Sequence, residues 1–152
     1  MKEYLIIWDL DDTLIYKGVD LDYLKSMLLD LNKRYYNVIL SNSPRTSVLA
    51  KLCKYKLKDY FDDVYSRKYF VNRKPFVFNY AKILKKYRVP KRNTFAVGDK
   101  LYTDVLGANL AGINSVLFAR KQGIFTRIFK HLIRPNIILN SFKGIRGFFL
   151  GP

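Results

Sequence analysis

Tyr4-Leu5-Ile6-Ile7-Trp8-Asp9-Leu10-Asp11-Asp12-Thr13 is the stretch on which the reading of this chain turns. The run from Tyr4 to Trp8 is short and continuously apolar, as in a strand buried on both faces, and it stops abruptly at acidic residues. A buried strand with a polar C-terminal end brings chemistry to one edge of a sheet. In an extended chain, positions i and i+2 point to the same side, so Asp9 and Asp11 can address one ligand.

Working outward, helical and strand patterns alternate. Leu21, Leu24, Leu28 and Leu31 recur at helical spacing behind Asp20, a suitable N-cap, and Asn37-Val38-Ile39-Leu40 reads as a second buried strand. Ser43-Pro44 offers a capping hydroxyl ahead of a proline at the first helical position, with Val48, Leu49 and Leu52 on the apolar face that follows. A weaker strand is expected at Asp63-Val64-Tyr65. Pro75 opens a helix carrying Phe76, Tyr80, Ile83, Leu84 and Tyr87, and Pro90 closes it. Thr94-Phe95-Ala96-Val97, a short helix from Thr103 to Leu110, and Ser115-Val116-Leu117-Phe118 complete the series. Strands separated by helices need right-handed crossovers, so the expected fold is α/β, a three-layer, doubly wound, mostly parallel sheet. A single domain is expected over 1–152, with residues 119–152 as a basic C-terminal extension whose order past Phe142 the sequence leaves open.

The chain carries 28 Lys and Arg against 12 Asp and Glu, a formal charge of +16. No acidic residue follows Asp104, so the C-terminal third is purely cationic. Such a field gathers polyanions without choosing among nucleic acid, anionic lipid and phosphorylated substrates, and a solvated basic surface explains it equally well. Cys53 is the only cysteine, which excludes an intrachain disulfide and a Cys-ligated zinc site and is compatible with a reducing cytosol. No run is long and apolar enough to span a bilayer, so a cytoplasmic protein is expected, soluble or peripheral at a membrane. With His131 as the only histidine, Ser-His-Asp and Cys-His catalysis are not expected. Asp59 stands where a cysteine phosphatase loop needs arginine after Cys53, and neither Gly107 nor Gly112 leads into the Lys-Ser or Lys-Thr of a Walker loop.

Gly98-Asp99 and Asp104 follow a different strand from Asp9 and Asp11. If those strands are neighbours, four carboxylates converge, and that much negative charge calls for a hard cation with oxygen ligands, which Mg2+ satisfies. Ser41, at the end of the second strand, and Lys74, before a helix, are the complementary groups that would hold the oxygens of a phosphoryl group. Simpler parts also fit. Asp104 can cap its helix, Ser41 can satisfy backbone, and Lys74 has the neighbours Lys68 and Arg73 as rivals.

Ile6-Ile7-Trp8-Asp9-Leu10-Asp11-Asp12-Thr13-Leu14 resembles the first motif of the haloacid dehalogenase-like superfamily. Val38-Ile39-Leu40-Ser41-Asn42 resembles the second, Lys74-Pro75 the third, and Val97-Gly98-Asp99-Lys100-Leu101-Tyr102-Thr103-Asp104 the fourth, in the family's order over residues 4–118. The resemblance implies that Asp9 is a nucleophile forming an aspartyl-phosphate and Asp11 the general acid and base. It implies Mg2+ on Asp9, the Asp11 backbone carbonyl, Asp99 and Asp104, with Thr13, Ser41, Asn42 and Lys74 around the phosphate. An aspartate at position 11 points to phosphatase rather than dehalogenase chemistry, and Asp12 to a loop carboxylate.

Both places where the superfamily inserts a cap domain are short here, so a capless, open site is expected, suited to a large substrate or to a lid from another subunit. The third and fourth motifs resemble the capless group that includes phosphatidylglycerophosphate phosphatases, which makes lipid phosphate a candidate. Ile124, Phe125, Ile128, Phe129, Leu132 and Ile133 lie on one helical face against Arg127, Lys130 and Arg134, a pattern that suits either an anionic membrane or packing on the sheet. Nucleic-acid ends are a second candidate, through the basic loop 51–73 with Tyr55, Tyr60, Tyr65, Tyr69 and Phe70 interleaved. Small phosphorylated metabolites, phosphoproteins and a non-catalytic binding module on the same fold remain open, and a receiver-like phosphoacceptor ranks last.

Overall fold

The computed structural model describes residues 1–67, 74–75, 77–120 and 135–151. Its strands are β1 (Tyr4–Trp8), β2 (Tyr35–Pro44), β3 (Asp63–Arg67), β4 (Thr94–Gly98), β5 (Asn114–Phe118) and β6 (Ile137–Leu139). Between and after them lie α1 (Leu21–Leu31), α2 (Arg45–Lys54), α3 (Phe78–Tyr87), α4 (Leu106–Ala111) and α5 (Phe142–Leu150). The sheet runs β3-β2-β1-β4-β5-β6 with every pairing parallel. The chain winds outward from β1 to β2 and β3, then returns to β1's other side with β4. The crevice at the C-terminal ends of β1 and β4 is therefore the switch point where such sheets bind ligands.

β1 is buried along most of its length because the strand period of two sends its side chains into two separate cores. Leu5 and Ile7 join Val38, Leu40, Tyr80 and Ile83 beneath α3 and α4. Ile6 and Trp8 join Leu24, Leu28, Leu31, Val48 and Leu52 beneath α1 and α2. The Trp8 indole N–H donates to Asn37 Oδ1 at 2.8 Å, so the one polar atom of that side chain is satisfied inside the core. α1 begins as its sequence predicts, with Asp20 accepting from the Tyr23 N–H.

Three expected helix starts are corrected. Pro44 does not open α2 behind a capping Ser43: β2 continues through Pro44, α2 starts at Arg45, and Pro44 takes the N-cap position with no side-chain cap. Pro75 precedes α3, which starts only at Phe78. The short helix near Thr103 begins at Leu101 as a π-helical turn (Leu101–Val105) that runs into α4.

Part of the basic extension belongs to the fold. β6 pairs with β5, and α5 buries Phe142, Ile145 and Phe149 in the core beneath α1. The hydroxyl of Ser141 caps α5 by accepting from Gly144 N–H, and Phe142 stacks on Phe118 with ring centroids 5.5 Å apart. Tyr35 donates to the Phe149 carbonyl at 2.7 Å, and Arg146 pairs with Asp30 at 2.8 Å, which ties α5 to both β2 and α1. The amphipathic stretch 124–133 lies outside the described residues. Among the described residues no helix is long and apolar enough to cross a membrane, and none forms a separate cap over the sheet edge.

Candidate active site

Asp9 lies one residue past β1, where its N–H donates to the Val97 carbonyl of β4 at 2.9 Å. This bond carries the β1–β4 pairing beyond the strand and fixes the Asp9 backbone at the crevice. The chain then turns tightly, with Leu14 and Ile15 N–H groups both donating to the Leu10 carbonyl and Asp12 N–H to Ile15. The turn needs a positive φ of 62° at Asp12, a conformation that Asp tolerates better than most residues. Asp12 is exposed and stays out of the site, as a loop carboxylate.

The turn brings Thr13 back beneath Asp9. Its hydroxyl stands 3.2 Å from Asp9 Oδ2 and 3.3 Å from Asp99 Oδ1. A hydroxyl has one proton and can donate to one of these carboxylates at a time. Lys74, buried, reaches Asp9 Oδ1 at 2.8 Å and also pairs with Asp104. Asp104 returns its other oxygen to the Lys100 N–H at 3.1 Å, so it closes the first turn of its helix and anchors Lys74 as well.

Asp9, Asp99 and Asp104 offer carboxylate oxygens that all lie within 4.8 Å of one another. With Lys74 as their ammonium partner, three ionised carboxylates would leave two negative charges in a largely buried space. The protonation equilibria register this excess. Burial, then the Asp9 and Asp104 carboxylates, pushes Asp99 up to about 7. Burial and Asp9 push Asp104 up to about 6 against the pull of Lys74. Burial alone would lower Lys74, but Asp104 and Asp9 together outweigh it and hold its ammonium above the usual lysine range. A divalent cation would supply the missing charge, and an all-oxygen donor set suits Mg2+.

Of the four carboxylates expected to converge, the structure unites three. Asp11 turns its side chain the other way, toward β2 and α2, where Oδ2 accepts from the Ser43 hydroxyl at 3.0 Å and Oδ1 from Lys51 at 2.5 Å. Asp11 is thus held by β2 and α2 and stands outside the carboxylate cluster. Ser43, read as a helix cap, holds this carboxylate instead. Ser41 is buried at the end of the same strand, its Oγ accepting from Ser43 N–H at 3.1 Å. Asn42 faces the Lys74 peptide, donating to its carbonyl at 3.1 Å and accepting from its N–H at 2.7 Å, so its geometry serves to place Lys74. The rivals Lys68 and Arg73 lie outside the described residues, as do Tyr69, Phe70 and His131.

Gly98 contributes through what it lacks. A Cβ there would sit 2.2 Å from Asp104 Cγ, so only glycine lets that carboxylate reach Lys74. The sequence marks Gly98 only by its place beside Asp99. Lys51 is one of many lysines, and the sequence marks it only as the start of the basic segment 51–73. Tyr55 and Tyr60 pack against the core beneath α1 and α2, and Tyr65 against the core beneath α3 and α4, so these aromatics of the basic segment are partly committed to folding.

Comparison with known proteins places this fold in a family. The family model described as "Haloacid dehalogenase-like hydrolase" matches residues 21–118. A glyceraldehyde 3-phosphate phosphatase from Pyrococcus furiosus is 28% identical over 123 residues, 76% of this chain and 51% of the relative, so the chain spans about half the length of that protein. Among solved structures, the putative HAD-hydrolase YfnB from Bacillus subtilis bound to magnesium superposes with a TM-score of 0.80 at 12% identity, covering 99% of this chain and 100% of the other. A D,D-heptose 1,7-bisphosphate phosphatase from B. bronchiseptica, complexed with magnesium and phosphate, gives 0.73 at 18% identity, covering 97% and 98%. At these identities the structures speak for the fold, and the family match, extending over more than half of the chain, makes this protein a member of the haloacid dehalogenase-like hydrolase family.

Proposed function

We propose that the protein is a Mg2+-dependent phosphomonoesterase that works through a phosphorylated Asp9. The observation that supports this most is the state of Asp9 itself: buried, at a sheet switch point, held by Lys74 and Thr13, in a carboxylate cluster short of positive charge. Asp9, Asp99 and Asp104, with the Asp11 backbone carbonyl, would hold the cation, which would neutralise the cluster and draw charge from the phosphoryl oxygens.

The chain's own residues then divide the work. Asp9 attacks phosphorus, the bond from phosphorus to the ester oxygen breaks, and that oxygen leaves with a proton from Asp11. Lys74 and Ser41 hold the non-bridging oxygens, whose charge builds as the bond breaks. Asp11, now a carboxylate, takes a proton from water as the water attacks phosphorus. The bond from phosphorus to Asp9 opens, releasing inorganic phosphate and restoring the starting carboxylate. Asn42 keeps Lys74 in register, and Ser43 keeps Asp11 near the open side.

For the substrate, a sheet edge over which no described helix forms a cap and the charge of +16 favour a phosphomonoester presented on a large or polyanionic molecule, with lipid phosphate first. A cytoplasmic protein peripheral to anionic membrane goes with that reading. Small phosphorylated metabolites are the second reading, favoured by the activity named for the Pyrococcus relative. Purified protein with Mg2+ and 4-nitrophenyl phosphate tests the reaction. Turnover lost in Asp9→Asn supports it, and either no turnover or turnover indifferent to Asp9 overturns it. A panel of lipid phosphates, phosphorylated oligonucleotide ends, sugar phosphates and phosphopeptides then ranks the substrates. Salt-sensitive polyanion binding by a protein without turnover would identify a binding module instead.

A further inference from the structure

The hydrolytic scheme uses Asp11 but leaves its partner Lys51 without a part. Lys51 belongs to α2, which follows β2, and β2 and β4 flank β1 on opposite sides. Lys51 therefore stands on the far side of β1 from Asp99 and Asp104. The phosphoryl group that Asp9 would receive already has Lys74 and Ser41. Lys51 pairs instead with the carboxyl group that serves the leaving oxygen, and 36% of its side chain remains open to solvent.

We propose that Lys51 determines specificity by holding a second anionic group on the leaving part of the substrate; this rests on the phosphomonoesterase reading above. A lysine ammonium has three N–H donors. Among the described residues Asp11 is the carboxylate it pairs with, and that pair uses one of the three donors. A leaving oxygen in hydrogen-bond reach of Asp11 lies about 5–7 Å from the Lys51 Nζ, given ordinary bond lengths at both ends of the carboxyl group. An anion within a few bonds of the ester oxygen spans that gap. The favoured class is thus a phosphomonoester whose alcohol part carries a carboxylate, phosphate or phosphodiester close to the ester. The charge-assisted contact would form at the rim without touching the transferring group, so it acts mainly on binding.

Three esters of matched size separate the possibilities: propyl phosphate, 2-carboxyethyl phosphate and 3-aminopropyl phosphate, each assayed with Mg2+ on wild type, Lys51→Met and Lys51→Arg. Wild type is expected to favour the carboxylate ester over the propyl ester by about tenfold in kcat/KM, mostly through KM, and to disfavour the amine. Lys51→Met is expected to bring the ratio of carboxylate to propyl ester close to one, and Lys51→Arg to keep most of it. A wild-type ratio near one overturns the proposal, as does a Lys51→Met variant that slows all three esters alike, the behaviour of a residue that merely steadies Asp11. Should Lys51→Met not fold, Lys51→Gln reads the same ratio. The aryl phosphate serves as control: turnover of it without the anionic preference defeats the role of Lys51 alone, and no turnover of any ester defeats the phosphomonoesterase reading with it.

Discussion

Gly98→Ala adds one methyl group at the centre of the site. The new Cβ would lie 2.2 Å from Asp104 Cγ and 2.3 Å from Oδ2, whereas carbon atoms in ordinary contact stand about 3.5 Å or more apart. The Asp104 carboxyl must therefore retreat by roughly 1 Å or more. Its partners sit at hydrogen-bond distance, so that retreat breaks both the pair with Lys74 and the bond from Lys100 N–H. Breaking one partner away from a buried ion pair costs about 3–5 kcal/mol, and here Lys74 keeps Asp9, which places the expected loss at the lower end, about 3 kcal/mol. Urea unfolding of the metal-free protein reads this directly, as a lower midpoint at unchanged slope. Calorimetric titration with Mg2+ should show weakened binding in the same variant, since one of three clustered carboxylates has moved. An alanine variant that unfolds at the wild-type midpoint and binds Mg2+ as tightly would refute the reasoning, because Asp104 would then have room that the structure denies it.

The remaining predictions concern the same cluster and the second core. Asp99 and Asp104 have folded-state values of about 7 and about 6 against an ordinary 3.8, so the folded protein binds more protons than the unfolded chain between those limits. The stability of the metal-free protein should therefore fall as pH rises from about 4 to about 7, and Mg2+ should restore it most at the upper end, as followed by thermal unfolding at stepped pH. Asp99→Asn removes one of the repelling carboxylates, so without metal it should melt higher than wild type at pH 8 while losing the Mg2+-dependent rise. Phe149→Ala, at the far end of α5, should cost about 3–5 kcal/mol in denaturant unfolding, and a variant within about 1 kcal/mol of wild type would place α5 outside the core.

How far the sequence could be read depended on whether a residue's part was local. β1 was legible because burial on both faces demands an unbroken apolar run, and Asp20 because an N-cap acts on its own helix. Asp9, Asp99 and Asp104 could be expected to meet once their strands were neighbours, which the parallel pairing of β1 with β4 provides. The pairing of Asp11 with Ser43 and Lys51 was not legible because it joins three separate segments of the chain. Ser43 was misread because its side chain works across the site on Asp11 and not on the helix beside it. Lys51 and Gly98 owe their parts to contacts with Asp11 and Asp104 that no local pattern announces. In α5, Ser141 and the spacing of Phe142, Ile145 and Phe149 were readable signals of a capped amphipathic helix. The basic residues among them and two internal glycines obscured it.

Asp9 is the proposed carrier of phosphate. Asp11→Asn keeps the nucleophile but removes the base that hydrolyses its product, and an aryl phosphate has a leaving group good enough to depart without an acid. The variant should therefore accumulate a covalent phosphoenzyme when mixed with Mg2+ and labelled 4-nitrophenyl phosphate, then quenched in acid. Peptide mapping by mass spectrometry should place the phosphoryl group on Asp9. Label on any other residue, or steady turnover in wild type with no phosphopeptide from either protein, would contradict that role of Asp9.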